Sequence, residues 1–383
     1  MARFSGRTGW DSRESSFAAA VRVARVDGRR LIDLTVSNPT VCGFEYDAAG
    51  ILGPLGNVEA LRYDPDPRGM LVAREAVVAY YRDQGAEVSA GDIVLTTSTS
   101  EAYSFVFRLL CDAGDEVLIA RPSYPLFDFL AELEDVTLRS YPLFYDHGWW
   151  IDFGELERAI TERTRAVVVV HPNNPTGHAT AAEERKRLEE VCVRRGLALI
   201  VDEVFLDYPL MEGTVIKSFA VGPHPVPTFV LSGMSKVAGL PQMKVAWVAV
   251  CGPATFRAEA MSRLEVVADT FLSMNTPVQL ALPSWLAGRE VVRGQVLARV
   301  RANVRAAAEC GVEMLRMEAG WSAVLRLPQR PGEAALELLE AGVVVHPGQF
   351  YGMAERGRVV VSLIVEEVEF MAGMAVVRGW CAV

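Results

Sequence analysis

Lys236 has the most unusual setting of any charged residue in this chain. It lies in Ser232-Gly233-Met234-Ser235-Lys236-Val237-Ala238-Gly239-Leu240-Pro241, at the end of an apolar run, TFVLS, that is expected to be a strand. A lysine among small and apolar residues loses hydration, so its amine titrates low, becomes nucleophilic near neutral pH and can condense with an aldehyde. The competing reading is a loop lysine that snorkels to solvent. Only four of the 38 basic residues are lysines, at 186, 217, 236 and 244, which shortens the list of nucleophilic amines.

Four further segments carry chemistry. His171 to Gly177, HPNNPTG, has the prolines and asparagines of a rigid turn whose amide groups point outward. Asp202 closes the apolar run ALIV, and a buried strand carboxylate needs a cationic partner such as a protonated pyridine nitrogen. Thr97-Ser98-Thr99-Ser100-Glu101 leaves a strand and opens a helix, where hydroxyls and free amides suit a phosphate, although Ser and Thr are also ordinary N-caps. Arg121-Pro122-Ser123-Tyr124-Pro125 puts an aromatic ring after another strand, where it either stacks on a flat ligand or packs in the core. All five segments fall at the carboxyl ends of expected strands, the edge at which open α/β sheets bind ligands. Together they offer an amine for an aldehyde, an acid for a ring nitrogen, an amide for a ring hydroxyl, an aromatic lid and a phosphate cradle. That set describes pyridoxal 5'-phosphate.

The elements that must position these residues are legible in the apolar pattern. Strands are expected at 93–97, 116–120, 136–141, 166–170, 198–204, 228–232 and 245–250, with helical periodicity between several of them. Continuous Val/Ile/Leu runs separated by helices indicate a mostly parallel sheet buried on both faces, in an α/β domain. After about residue 280 the pattern changes. A long helix is expected over roughly 289–318, then strands in SAVLRL, GVVVHPG and RVVVSLI and a terminal helix from about Glu366, which suggests a smaller α+β domain. The expected division is a large domain at 40–280 and a small one made of 1–39 with 281–383. The 383 residues, 51% apolar and 22% charged, exclude disorder and coiled coil. A net charge of −10 excludes a global electrostatic footprint for nucleic acid or an anionic membrane. No stretch approaches ~18 apolar residues, so no membrane span is expected. Six scattered cysteines without a CxxC pair read as buried thiols of a reducing, cytoplasmic compartment, and five scattered histidines give no metal-ligand spacing.

In combination, RYDPDPRG, TSTSEA, PSYP, NNPTG, DEV and SKVAGLP, in that order, resemble the class I/II aminotransferases, a family of fold-type I pyridoxal-phosphate enzymes. The resemblance runs from LIDLTVSNPT to RVVVSLI. It implies an aspartate-aminotransferase-like fold with Lys236 as the Schiff-base lysine and Asp202 as the pyridinium partner. It likewise implies Asn174 on the ring hydroxyl, Tyr124 stacked on the ring, and Ser98, Thr99 and Ser100 near the phosphate. Ser235 and Lys244 of the lysine motif join the cofactor set. Tyr63 would reach the phosphate of a neighbouring subunit, which implies a homodimer. Pro347-Gly348 with Phe350 resembles a turn of the family's small domain.

Several positions depart from the family pattern. Lys244 stands where an arginine is usual and loses bidentate geometry on a phosphate. Ser98 stands where the cradle usually has glycine. Phe205 replaces a tyrosine that supports the ring hydroxyl. Val360 occupies the position where an arginine grips the substrate carboxylate, and a buried valine pairs with no carboxylate. Arg358 lies two residues earlier on the same strand face, about 6.6 Å away at ~3.3 Å per residue. Either it reaches in, or the carboxylate is held elsewhere or is absent. The resemblance implies an aminotransferase acting on a small-molecule amino donor and keto acceptor. Elimination, decarboxylation or oxidation on the same cofactor is the alternative, since fold and cofactor do not decide reaction type. A non-catalytic cofactor-binding regulator would normally add a DNA-binding module, and residues 1–38 contain no basic helix-turn-helix pattern.

Overall fold

A computed structural model describes residues 3–10 and 13–382. In chain order its strands are β1 (Ile32–Asp33), β2 (Ile93–Thr96), β3 (Glu116–Arg121), β4 (Thr137–Tyr145), β5 (Trp149–Ile151), β6 (Thr164–Val170), β7 (Ala198–Asp202), β8 (Thr228–Gly233), β9 (Ala246–Cys251), β10 (Ser322–Arg326), β11 (Val343–Val344), β12 (His346–Pro347) and β13 (Arg358–Ser362). The seven strands expected before residue 251 all form, within a few residues of the expected bounds. The short β5, in a tryptophan-rich hairpin with β4, is an addition the apolar pattern did not reveal.

One eight-stranded sheet has the spatial order β2-β9-β8-β7-β6-β3-β4-β5. Strands β8, β7, β6, β3 and β4 are parallel neighbours, while β9 and the edge strand β5 run antiparallel to theirs. Alternate side chains go to opposite faces. Val168, Ile200 and Phe229 pack against Tyr103, Phe107 and Leu264 of the helices Thr99–Leu110 and Ala254–Asp269. Val167, Leu199, Val201 and Trp247 pack on the other face, against Val77, Leu188 and Leu282 of the helices Leu71–Asp83, Ala182–Arg195 and Thr276–Ala287. Helices on both faces explain why β7, β8 and β9 tolerate no exposed residue.

A second, smaller sheet runs β10-β13-β12, all antiparallel, and β1 pairs in parallel with β11. Its core joins Phe17 and Leu34 from the start of the chain to Val300, Leu325, Val361 and Phe370 from its end. The helix expected over 289–318 is shorter. It spans Glu290–Cys310 and stops at Gly311, whose φ of 70° closes it in the left-handed conformation. The residues beyond run alongside β10 instead, where Leu315 N–H donates to the Val324 carbonyl at 2.8 Å. Val292, Val296 and Val300 are buried at the expected spacing.

The central strands carry the stability of the large sheet. Leu199→Ala, at a fully buried position of β7, is expected to cost about 2–5 kcal/mol. The exposed Val193→Ala should stay within about 0.5 kcal/mol. Denaturant unfolding of both variants checks this contrast.

Candidate active site

Strands β7 and β8 are parallel neighbours, with Asp202 in register with Leu231. They therefore deliver Asp202 and, one turn past the end of β8, Lys236 to the same edge of the sheet. Gly233 makes that turn possible by close approach, since a Cβ there would stand 2.9 Å from the Val245 carbonyl oxygen and from the Ala246 side chain. Lys236 lies in the short helix Met234–Val237. Its carbonyl accepts the Tyr208 hydroxyl at 2.6 Å, and the Gly239 carbonyl accepts the Tyr46 hydroxyl at 2.8 Å.

Both groups face a cavity of about 410 Å³ whose wall also includes Thr99, Ser100, Tyr124, Asn174 and Ser235. Lys236 keeps some exposed surface because this cavity is open to water, yet burial still lowers its pKa, opposed by the charge of Asp202. Its amine lies 5.3 Å from the ring centre of Trp321 and 5.9 Å from that of Phe205. Burial raises Asp202 to about 6, against the pull of the Val204 amide, the Tyr103 hydroxyl and Lys236. The Val204 N–H donates to Asp202 at 3.1 Å and the Tyr103 hydroxyl at 3.2 Å, which fixes the carboxyl in the cavity wall. The Asn174 amide oxygen is buried without a partner, an unsatisfied acceptor of the kind that a ligand hydroxyl would complete. A buried amine, a buried acid, an orphaned amide and a helix N-terminus on one cavity fit an anionic, aromatic cofactor bearing an aldehyde.

Of the other sequence-derived candidates, Ser98, Lys244, Tyr63 and Arg358 lie outside that wall. The Ser98 hydroxyl accepts the Glu101 N–H at 3.1 Å and so caps the helix Thr99–Leu110. It leaves the Thr99 and Ser100 amides and hydroxyls for a ligand. Lys244 is exposed, in a left-handed conformation at φ 54°. Tyr63 is 80% exposed, beside Asp64 and Asp66 on a separate face. Tyr124 is 46% exposed at the cavity mouth. Arg358 does not reach in. It lines a different cavity with Glu333 and Gln349, and burial together with Arg326 lowers its pKa.

Several wall residues were not legible in the sequence. Thr35, Ser37, Trp321, Ser322, His346 and Ser362 join from the first segment and the small sheet. At the turn after β12 it is Tyr351 that lines the cavity, while Phe350 turns away and packs edge-on against Phe17 at 5.9 Å. A glycine-flanked aromatic at a strand start, as in Gly320-Trp321, was the available signal for Trp321.

The NNPTG turn holds the small sheet to the large one. The Gly177 carbonyl accepts the N–H groups of Glu318 and Ala319 at 2.9 and 3.1 Å. Gly177 has φ 69°, and a Cβ there would lie 2.6 Å from the Ala319 carbonyl oxygen, so only glycine fits. Next to it the buried His178 stands 3.1 Å from Glu184 and 3.7 Å from Glu318. Burial lowers the His178 pKa, but the two carboxylates outweigh it and hold it at about 9.

Solved structures with the same architecture include an aminotransferase from Escherichia coli, at a TM-score of 0.87 and 20% identity over 100% of this chain and 98% of that one. Aspartate aminotransferase from Thermus thermophilus with maleate matches at a TM-score of 0.80 and 24% identity, over 98% and 100%. These likenesses define an aspartate-aminotransferase-like fold. The chain belongs to the aminotransferase class I and II family, whose model matches residues 59–372. Among its relatives, alanine aminotransferase of Mycobacterium tuberculosis is 30% identical over 276 residues, 71% of this chain and 63% of that protein. Glutamate-pyruvate aminotransferase AlaA of Haemophilus influenzae is 26% identical over 272 residues, 71% of this chain and 67% of that protein. The chain thus spans about two thirds of the length of the curated relatives it matches.

The His178 contact gives a stability signature. A folded pKa above the ordinary 6.5 means that its stabilisation is whole below about pH 6.5 and is lost as pH rises through about 9. The loss expected is on the order of 3 kcal/mol. In a pH series of thermal unfolding, the advantage of the wild type over His178→Gln should shrink across that window.

Proposed function

We propose that this chain is a pyridoxal-phosphate-dependent aminotransferase that takes a small-molecule amino donor and a keto acceptor. The observation that carries the reading is Lys236 facing one cavity with Asp202, in a chain of the aminotransferase family. Bound pyridoxal phosphate would supply an aldehyde and a ring that accepts electrons from the substrate carbon. Lys236 would hold the aldehyde until a substrate amine displaces it. Its freed Nζ, which burial disposes toward the neutral form, would then take the proton from the substrate carbon that bears the amine and return it.

Asp202, oriented by Tyr103 and the Val204 amide, would pair with the protonated ring nitrogen, and Asn174 would meet the ring hydroxyl. Tyr124 would cover one ring face. Thr99 and Ser100, with their amides, would hold the phosphate, while Ser98 shapes that turn. Ser235 directly precedes the lysine, and the exposed Lys244 would offer a cation to the phosphate only after turning inward. Tyr63 would complete the phosphate site of a second copy, and its exposure supports a homodimer. The shared core of the first and last segments supports a small domain of 1–39 with 281–383 around a large domain of 40–280. Six cysteines without disulfides support a reducing, cytoplasmic compartment. Among the described residues no helix is long and apolar enough to cross a membrane.

Phe205 and Val360 in the cavity wall favour one second reading, elimination, decarboxylation or oxidation on the same cofactor. Release of ammonia or CO₂ from the donor would select it.

Purified protein reconstituted with pyridoxal phosphate should turn yellow, and borohydride reduction should fix the cofactor covalently on Lys236. Lys236→Ala should lose that label, and a label on any other lysine would sink the assignment. Asp202→Ala should slow proton removal by about two orders of magnitude, the scale of losing one electrostatic partner of the reacting group. Near-wild-type turnover in that variant would remove Asp202 from its role.

A further inference from the structure

The small sheet's side of the central cavity is electrically neutral. It is formed by Trp321, Ser322, His346, Tyr351, Val360 and Ser362. Among the described residues that line the cavity, Lys236 is the only lysine or arginine. Val360 is 2% exposed, and its register partner on β12 is His346. Cross-strand partners share a face, so the imidazole stands beside the valine.

His346 Nδ1 lies 2.9 Å from the Tyr351 hydroxyl. Burial lowers the His346 pKa, with the charge of Asp33 pulling the other way, so the imidazole is neutral near pH 7. Burial pushes Tyr351 up to about 12, so its hydroxyl keeps its proton, and the bond forms either with Tyr351 donating to Nδ1 or with Nδ1–H donating to Tyr351. In the first case Nε2–H is left as a donor and in the second the Tyr351 O–H, so the pair presents one donor without a protein partner among the described residues.

A carboxylate placed against this wall would meet an apolar side chain and no cation. Burying an unpaired charge is costly, whereas a neutral oxygen needs only a donor. We propose that the amine substrate carries, where it meets this wall, a neutral oxygen acceptor, such as an amide carbonyl or an alcohol, in place of a free carboxylate, and that the His346–Tyr351 pair and the neighbouring hydroxyls hold it. The assignment rests on the transamination reading for its reaction, and only on the cavity wall for its specificity.

The test uses reconstituted wild-type protein and matched donors: alanine, alaninamide and alaninol, and the same three forms of phenylalanine. Conversion of the cofactor to its amine form is followed in single turnovers. The amide or alcohol of each set should exceed the free amino acid at least tenfold in kcat/KM. His346→Ala and the milder His346→Gln should raise KM for the neutral donors about tenfold, the scale of one lost hydrogen bond, with kcat less affected. Val360→Arg should shift preference toward the free amino acids. Arg358→Ala should change nothing beyond a factor of about two.

Free amino acids that equal or exceed their neutral forms in the wild type would overturn the inference and leave transamination standing. If no donor converts the cofactor, transamination fails, and calorimetry on the same protein decides the wall separately. Succinamide binding more tightly than maleate supports the neutral wall. Maleate binding the wild type as tightly as it binds Val360→Arg overturns it.

Discussion

The joint burial of Lys236 and Asp202 is the constraint around which the structure is arranged. Burial works against each charge, lowering the lysine and raising the aspartate, and each charge in turn favours the ionised form of the other. Such a pair is unstable in isolation because desolvating two charges costs more than a loose attraction returns. It persists because the sheet leaves it no alternative. Asp202 ends β7 inside a run of fully buried residues, and Lys236 leaves β8 through a turn that only a glycine at 233 permits. The hydroxyls of Tyr103, Tyr208 and Tyr46 then fix the carboxyl and the backbone that carries the amine.

The cavity exists only because the small sheet closes over that pair, and its docking point is local. Gly177 receives two amides from 318 and 319, and the chain then turns directly into Trp321, whose ring lies over the lysine amine. Trp321 also packs edge-on against Phe205 and Tyr208, so the segment after β7, the lysine helix and the small sheet share one aromatic cluster. The His178 contacts with Glu184 and Glu318 reinforce the same joint with charge. Substrate selectivity and domain packing are therefore mechanically connected, since a shift of the 317–321 segment moves the roof of the site.

The two sides of the cavity differ in chemistry. The large-sheet side holds the amine, the acid, the amide and the helix N-terminus, the set that the proposed cofactor would engage. The small-sheet side offers hydroxyls, an imidazole–phenol pair and valine. Membership of a family constrains the first side more tightly than the second, because a cofactor keeps its chemistry while substrates vary.

The sequence by itself determined the large sheet and which of its residues line the cavity. Short, Val- and Ile-rich apolar runs alternating with helical patterns read as central strands, and the chemistry-bearing residues directly follow those runs, so both were legible in local order. Lys236, Asp202, Asn174, Tyr124, Thr99 and Ser100 all lie within a few residues of a strand end, and all reach the cavity. The tertiary structure alone decided the rest. Whether Arg358 or Val360 faces the cavity, whether Tyr351 or Phe350 turns inward, and that His346 stands beside Val360, depend on register and turn geometry between strands far apart in sequence. A two-residue displacement along a strand keeps the same face but moves a side chain into another cavity, and no local pattern encodes that distance. The early end of the helix at Gly311 is different, because a glycine that can adopt the left-handed cap is a local stop signal that periodicity alone overran.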